Sequence, residues 1–114
     1  MSTICWVHPT TDAEELKPLW AKLDDLVRPV LHADTAIEHR FLQRSGNFAR
    51  ALYAAALNAV HMVETAIQAQ HEGFDAVVLG CWNVPLWETR QVLDIPVGAI
   101  SEQATLATLT MGKR

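Results

Sequence analysis

The sequence predicts a doubly wound α/β domain: three layers, with a four-stranded parallel sheet of strand order 2-1-3-4. Two observations carry this prediction. Short β-branched or apolar segments alternate four times with segments of helical periodicity, as they do in parallel sheets covered by helices. The segment 75–83, DAVVLGCWN, contains an unbroken apolar run bounded by turn residues, which is typical of a central strand buried on both faces.

Bulk composition limits the classes of protein. Half of the 114 residues are apolar and the net charge is −4, so we expect residues 1–114 to form one small globular domain. No basic stripe favours nucleic acid or an anionic membrane as a partner, and no apolar run reaches the roughly 18 residues of a membrane span. The N-terminus shows no signal-peptide pattern and the two cysteines suggest no disulfide framework, so a reduced, cytoplasmic protein is expected.

The first strand and helix are predicted at residues 3–8 and from Thr11 onward. The segment TICWVH is β-branched and aromatic and ends at Pro9. Thr11 and Glu14 fit a capping box, with Thr11 as N-cap. Pro18 indicates either a later start of the helix or a kink. The apolar positions of this helix are Leu16, Leu19, Trp20, Leu23, Leu26 and Val27, and Pro29 closes or bends its far end.

The second strand and the longest helix follow. Residues 35–42, TAIEHRFL, alternate as a strand near an edge, because Glu38 and Arg40 need water. Residues 48–72 predict a long alanine-rich helix that Gly73 ends. Its apolar stripe is predicted to be Leu52, Ala55, Ala59, Val63 and Ile67.

The last third of the chain predicts two more units. After the central strand, residues 85–93 suit a short helix with Pro85 near its first turn. Residues 95–100, IPVGAI, predict the fourth strand, and Ser101 or its neighbour is expected to cap a final helix.

Strand order 2-1-3-4 places a ligand crevice between the first and third strands, where the direction of winding changes. The loop 8–11, HPTT, would then face the loop 81–83, CWN. Hydroxyl groups and amides at a helix N-terminus suit a carboxylate or phosphate, and the other loop adds a thiol and an amide. This combination could hold an anionic substrate and contact its acidic carbon with sulfur.

Each chemical residue also has a plain structural interpretation. Cys81 is either a small buried hydrophobic residue or a reactive thiol, whereas Cys5 belongs in the core. His8 is either a polar strand terminus or a proton carrier or substrate donor. Trp20 fits the core, while Trp82 and Trp87 could line a pocket. No glycine-rich phosphate loop, zinc-ligand spacing or nucleophile elbow is found, so no cofactor or metal is expected.

The sequence from Glu72 to Arg114 resembles the aspartate/glutamate/hydantoin racemase superfamily, and its hydantoin racemase-like subgroup in particular. The matching features are a strand ending in Gly80-Cys81, an Asn-containing segment with proline, a short helix, the sequence DIPV and a Glu-Ala helix. The segment HPTT is similar to that superfamily's Asn-Pro-Asn-Thr/Ser loop. The resemblance therefore implies one flavodoxin-like half of a racemase fold.

The resemblance also implies a cofactor-independent isomerase mechanism. Such racemases place two cysteines, one from each of two pseudo-symmetric domains, on opposite faces of the substrate's α-carbon. Cys81 matches the cysteine of the first domain, and Thr10, Thr11 and Asn83 match positions that bind a carboxylate or carbonyl. His8, Pro9 and Trp82 complete the expected substrate-binding set.

Two departures from the pattern shape the functional expectation. His8 and Thr10 stand where the superfamily prefers asparagine, and the second domain with its cysteine is absent from these 114 residues. A homo-oligomer, most simply a two-fold dimer, would bring two Cys81 side chains to one site. The alternative is a non-catalytic binding or interaction module that retains the fold.

Overall fold

A computed structural model describes residues 1–45 and 51–112 of the chain, and it contains the predicted four-stranded parallel sheet. The strand order is β2-β1-β3-β4, and all three pairings are parallel. The strands are β1 (Ser2–Val7), β2 (Thr35–Arg40), β3 (Ala76–Leu79) and β4 (Val97–Ala99). The helices are α1 (Lys17–Val27), α2 (Leu52–His71), α3 (Leu86–Val92) and α4 (Ile100–Met111). The predicted α/β class and strand order are confirmed.

The first helix begins later than the capping box predicts. A single 3₁₀ turn spans Glu14–Leu16, with Ala13 in extended conformation before it, and α1 starts only at Lys17. Pro18 explains the difference: it occupies the first turn of α1, where its missing N–H costs no helical hydrogen bond. Thr11 is therefore not an N-cap, and the helix ends at Val27, before a 3₁₀ turn that contains Pro29.

The two faces of the sheet carry different kinds of side chain. Cys5 and Val7 of β1 point to the face covered by α2 and α3, in an aliphatic core that also contains Met62 and Leu86. The alternate residues Trp6 and His8, together with His39 and Phe41 from β2 and the residue after it, contact Trp20 of α1 or one another. One face is thus an aliphatic core and the other an aromatic and imidazole cluster.

The buried stripe of α2 differs from the predicted one. Its buried residues are Asn58, Met62, Ala66 and Ala69. Of the predicted stripe, Ala55, Ala59, Val63 and Ile67 are half-buried, and Leu52 is 86% exposed. Apolar residues occur on several sides of this helix, so periodicity alone does not select the face that packs on the sheet. The polar Asn58 marks the true face, because its amide reaches back to the loop after β1. The predicted start of the helix at Phe48 lies outside the described residues.

The remaining helix boundaries are set by backbone geometry. Gly73 adopts φ +94°, the left-handed conformation that ends α2 as predicted. Helix α4 begins at Ile100 after an extended Ala99 that makes no side-chain cap, so the predicted cap at Ser101 is wrong. No helix among the described residues is long and apolar enough to span a membrane.

Candidate functional site

The loops that follow β1 and β3 lie side by side at one edge of the sheet. The two strands are parallel neighbours with Val7 opposite Leu79, and the amide of Gly80 donates to the carbonyl of Val7 at 2.8 Å. Beyond this hydrogen bond the two chains continue as the loops 8–11 and 81–83, which are the predicted crevice residues. Because strand order changes direction here, this edge is where open α/β sheets bind ligands.

Cys81 is exposed at this edge, whereas Cys5 is fully buried in the aliphatic core. Exposure rules out the interpretation of Cys81 as a small buried hydrophobic residue. Burial raises the pKa of the Cys5 thiol to about 11, against a smaller opposing effect of Arg40. Cys81 is therefore the thiol that solutes can reach, and Cys5 is a core residue as expected.

The loop after β1 is more deeply buried than the sequence suggests. His8, Pro9 and Thr10 are all buried, with Thr10 only 2% exposed, and Thr11 is half-buried. Since α1 starts at Lys17, this loop does not form the helix N-terminus predicted to bind an anion. Its backbone is instead fixed by the protein: the Pro9 carbonyl accepts a hydrogen bond from Nδ2 of Asn58 at 3.2 Å. The Thr10 carbonyl accepts from the amide of Leu42 at 2.8 Å.

The loop after β3 opens onto a shallow pocket between the start of α3 and the first turns of α4. Trp82 and Trp87 are 65% and 69% exposed, and Asn83 is exposed between them. The pocket has a volume of about 540 Å³ and is lined by Trp82, Asn83, Val84, Leu86, Trp87, Ser101, Glu102, Thr105 and Leu106. Cys81 immediately precedes this wall in the chain. Apolar rings with a few polar groups suit a small cyclic or aromatic ligand.

The predicted site residues therefore divide into two groups. Cys81, Trp82 and Asn83 are exposed at the crevice, while His8, Pro9 and Thr10 form a buried layer beneath its other side. Burial lowers the pKa of His8 to about 3, with a smaller contribution from the neighbouring His39, so its imidazole is neutral. Among the described residues, Nδ1 of His8 and Oγ1 of Thr10 have no hydrogen-bond partner.

Three residues around this site were not identified from the sequence. His39 bonds to His8, Asp24 bonds to His39, and Asn58 holds the Pro9 carbonyl. One signal was available for Asp24, which lies one helical turn after the core residue Trp20 and so shares its face. The contact of His39 depends on the pairing of Trp6 with His39 in the sheet, which the sequence does not specify. Within residues 1–45 and 51–112, no group of three His, Cys, Asp or Glu side chains could hold a metal ion.

Comparisons with known proteins identify the fold. No protein-family model matches the chain, and no curated protein matches its sequence significantly. Among solved structures, an allantoin racemase from Klebsiella pneumoniae superposes with a TM-score of 0.81 at 21% sequence identity. The match covers 96% of this chain and 44% of the racemase chain. This chain therefore has the fold of somewhat less than half of that structure, as the resemblance to racemases predicts.

Proposed function

We propose that this chain supplies the first half of a cofactor-independent racemase site, with Cys81 as its acid/base residue. The observation that carries the proposal is the exposed Cys81 thiol two residues after the end of β3, at the sheet edge where the loop after β1 also lies, in a fold shared with an allantoin racemase. Racemisation requires a group that removes the proton from a carbon next to a carbonyl and returns one. A thiol performs both roles, since it alternates between thiolate and thiol.

The proposed binding roles follow from position. Asn83 is exposed in one loop and Thr11 is half-buried in the other. Their side chains would donate hydrogen bonds to a substrate carbonyl or carboxylate. Thr10 and His8 would lie beneath the bound substrate. The hydrogen bond from Asn58 to the Pro9 carbonyl fixes the path of their loop. Trp82 and Trp87 form an apolar wall that favours a ring or a bulky side chain on the substrate.

The favoured substrate class is a five-membered hydantoin ring, with amino acids as the second choice. A hydantoin has one acidic carbon between a carbonyl and a nitrogen, and its flat ring matches an exposed indole wall. Allantoin is itself a hydantoin, and the racemase of similar fold carries it in its name. Neither substrate class requires a metal or cofactor for this chemistry.

A second copy of this chain is the proposed source of the opposite wall. Helix α4 buries no residue, and its Leu106, Leu109 and Met111 are 51%, 72% and 84% exposed. Of these, Leu106 lines the same pocket as Trp82 and Trp87, whose wall follows Cys81 in the chain. A two-fold dimer across these exposed residues would cover them and place two Cys81 residues at one site. A reduced, cytoplasmic location suits this use of a free thiol.

Chiral chromatography tests the proposed activity. Single enantiomers of allantoin, 5-benzylhydantoin and a set of amino acids are incubated with the protein, and the opposite enantiomer is measured against a protein-free blank. The proposal predicts conversion of a hydantoin well above the spontaneous rate, with activity per chain rising with protein concentration as dimers form. No conversion of any compound, at concentrations where sedimentation shows a dimer, would instead favour a non-catalytic binding module.

A further inference from the structure

His8 lies at the centre of a ring cluster that fills the sheet face beneath α1. Its ring centroid is 5.1 Å from Trp6, 4.4 Å from Trp20, and 5.0 Å from both His39 and Phe41. The side chain is fully buried. Aromatic packing would equally well be served by phenylalanine, so the imidazole at this position calls for a chemical explanation.

A continuous hydrogen-bonded chain joins His8 to the surface. Nε2 of His8 lies 2.7 Å from Nδ1 of His39, and Nε2 of His39 lies 3.0 Å from Oδ1 of Asp24. The other oxygen of Asp24 accepts a hydrogen bond from Nε of Arg28. The bond from His39, followed by that from Arg28, holds the pKa of Asp24 below its usual range, so this residue is a carboxylate.

The Asp24 carboxylate fixes one imidazole proton, and the protonation state of His39 decides the position of the other. An ionised Asp24 only accepts hydrogen bonds, so Nε2 of His39 carries a proton. A neutral His39 then has a bare Nδ1, which can only accept, and the proton between the two rings belongs to Nε2 of His8. His8 is neutral, so its own Nδ1 is a bare lone pair. This atom is one of four buried side-chain atoms without a hydrogen-bond partner among the described residues, the others being Oγ1 of Thr10 and Nε1 of Trp6 and of Trp20.

We propose that Asp24, His39 and His8 form a proton relay that runs from the surface beside α1 to Nδ1 of His8 at the carboxyl end of β1. The relay deepens the proposed function, on which it rests for the source of its proton, an acidic group of the bound substrate or the Cys81 thiol. His8 is the relay residue at the crevice end, and His39 and Asp24 are positioning residues that act through it.

The proton transfer leaves the buried ring of His8 uncharged. The acid gives its proton to Nδ1 of His8 and keeps the bonding electron pair as an anion. The Nε2–H bond of His8 breaks, and that proton forms an N–H bond at Nδ1 of His39. His8 ends as the other neutral tautomer, and the positive charge appears on His39, next to Asp24. The reverse sequence returns a proton to the crevice.

The surface end of the relay is built to accept this charge. His39 and Asp24 are partly exposed, at 17% and 22%, and they line a pocket of about 300 Å³. The charged groups around this pocket are Asp12, Lys17, Asp24 and Arg28. The neighbours of His39 on β2, Glu38 and Arg40, belong to the opposite face, where Arg40 pairs with Glu72. From β1 the rings of Trp6 and His8 contact His39.

The crevice end of the relay adjoins the candidate site through the backbone. His8 directly follows Val7, whose carbonyl accepts the hydrogen bond from Gly80, the residue before Cys81. Trp6, stacked on His8, lies directly against Gly80. Another buried polar atom without a partner among the described residues, Oγ1 of Thr10, lies two residues further along the same loop. The Thr10 hydroxyl, unlike the indole N–H groups of Trp6 and Trp20, belongs to the same loop as His8 and could take part in the proposed exchange of protons with a polar ligand group.

Nitrogen-15 NMR of histidine-labelled protein tests the relay without relying on activity. The relay predicts that His8 is neutral between about pH 5 and 8, with its proton on Nε2 and a pyridine-like Nδ1 signal. In Asp24→Asn the ordering carboxylate is lost, and the His8 and His39 signals should shift toward mixed tautomers. Asp25→Asn removes an exposed carboxylate of the same helix and should leave both spectra unchanged. A proton on Nδ1 of His8, or an Asp24→Asn spectrum equal to that of the wild type, would overturn the relay.

Proton exchange at the substrate separates failure of the relay from failure of the proposed function. If the wild-type protein exchanges the acidic proton of a hydantoin in heavy water, Asp24→Asn should lower the rate at least tenfold, with Asp25→Asn unchanged. An Asp24→Asn rate equal to that of the wild type would show that the chain of hydrogen bonds is structural and would refute the relay. If the wild type exchanges nothing, the proposed function fails, and the NMR tautomers decide on the relay alone.

Discussion

The indole of Trp6 lies directly against Gly80. A Cβ atom at Gly80 would come 2.2 Å from Nε1 and 2.8 Å from Cδ1 of Trp6, far inside any real contact. The indole cannot easily move away, since it packs against the rings of both His8 and His39. Gly80 is therefore the residue that lets β3 pass the aromatic cluster and present Cys81 at the sheet edge.

Gly80→Ala should destabilise the protein by about 1–3 kcal/mol, the usual cost of adding a methyl group to a tightly packed site. The free energy of unfolding, measured by urea denaturation, checks this. Gly98→Ala is the matched control, because a Cβ there would meet nothing within 4 Å. Equal stabilities of the two variants would contradict the described contact.

Alkylation should distinguish the two cysteines. In the folded protein at pH 8, Cys81 should react with iodoacetamide while Cys5 stays unmodified, as read by peptide mass spectrometry. With its pKa raised to about 11 by burial, only about one thousandth of Cys5 is thiolate at this pH, in addition to being out of reach. Both cysteines should react once urea unfolds the chain. Modification of Cys5 at the rate of Cys81 in the folded state would contradict the core assignment.

Stability should fall as the pH drops below about 6.5 because of His8. The folded-state pKa of His8 is lowered to about 3, whereas an unfolded histidine titrates near 6.5. Between these values the unfolded chain binds a proton that the folded protein does not, so the stabilisation present above pH 6.5 is lost progressively on acidification. From pH 7 to pH 5 the loss should be about 2 kcal/mol for this one group.

The contribution of His8 is isolated by comparing how steeply the free energy of unfolding changes with pH in the wild type and two variants. His8→Gln should remove this part of the pH dependence, although its stability at pH 7 will also differ. His71→Gln replaces an exposed histidine and should keep the wild-type slope. If His8→Gln loses stability between pH 7 and 5 as steeply as the wild type, His8 is not the buried neutral group described.

Asn58 should stabilise the loop that follows β1. Asn58→Ala leaves the buried Pro9 carbonyl without this donor and should cost about 1–3 kcal/mol. The amide of Leu42, which donates to the next carbonyl of the loop, should then exchange faster with heavy water. The exposed Asn83→Ala should change stability by no more than about 0.5 kcal/mol. Unaltered Leu42 exchange in Asn58→Ala would show that the loop does not depend on this bond.

The sheet was predictable because each strand carries its own signal. The apolar run 76–79 and the alternation of strand and helix predict the parallel sheet, whose order is the one assumed for a doubly wound topology. Gly73 and Pro18 mark helix boundaries through rules of the backbone. The cap at Thr11 failed because a local pattern of four residues competes with Pro18, which fits only near a helix start. The predicted α2 stripe is offset from the buried one because apolar residues occur on several sides of the helix, and the polar Asn58, which bonds to Pro9, lies on the buried face.

The site was predictable only in part, for a related reason. Its loops follow from topology, which places the carboxyl ends of β1 and β3 together. The bond from His8 to His39 joins residues 31 positions apart, and the bond from His39 to Asp24 joins residues 15 positions apart. Such contacts depend on sheet register and on the rotation of α1, and neither can be read from one strand or helix alone.

Hydrogen exchange at the acidic carbon of a hydantoin is the most direct test of the role of Cys81. One enantiomer in heavy water is followed by proton NMR with wild type, Cys81→Ser and Cys5→Ala at equal folded concentrations. We expect Cys81→Ser to lose at least a hundredfold in rate, because the hydroxyl is a far weaker acid than the thiol, while Cys5→Ala stays close to wild type. Exchange by Cys81→Ser at the wild-type rate would contradict the account.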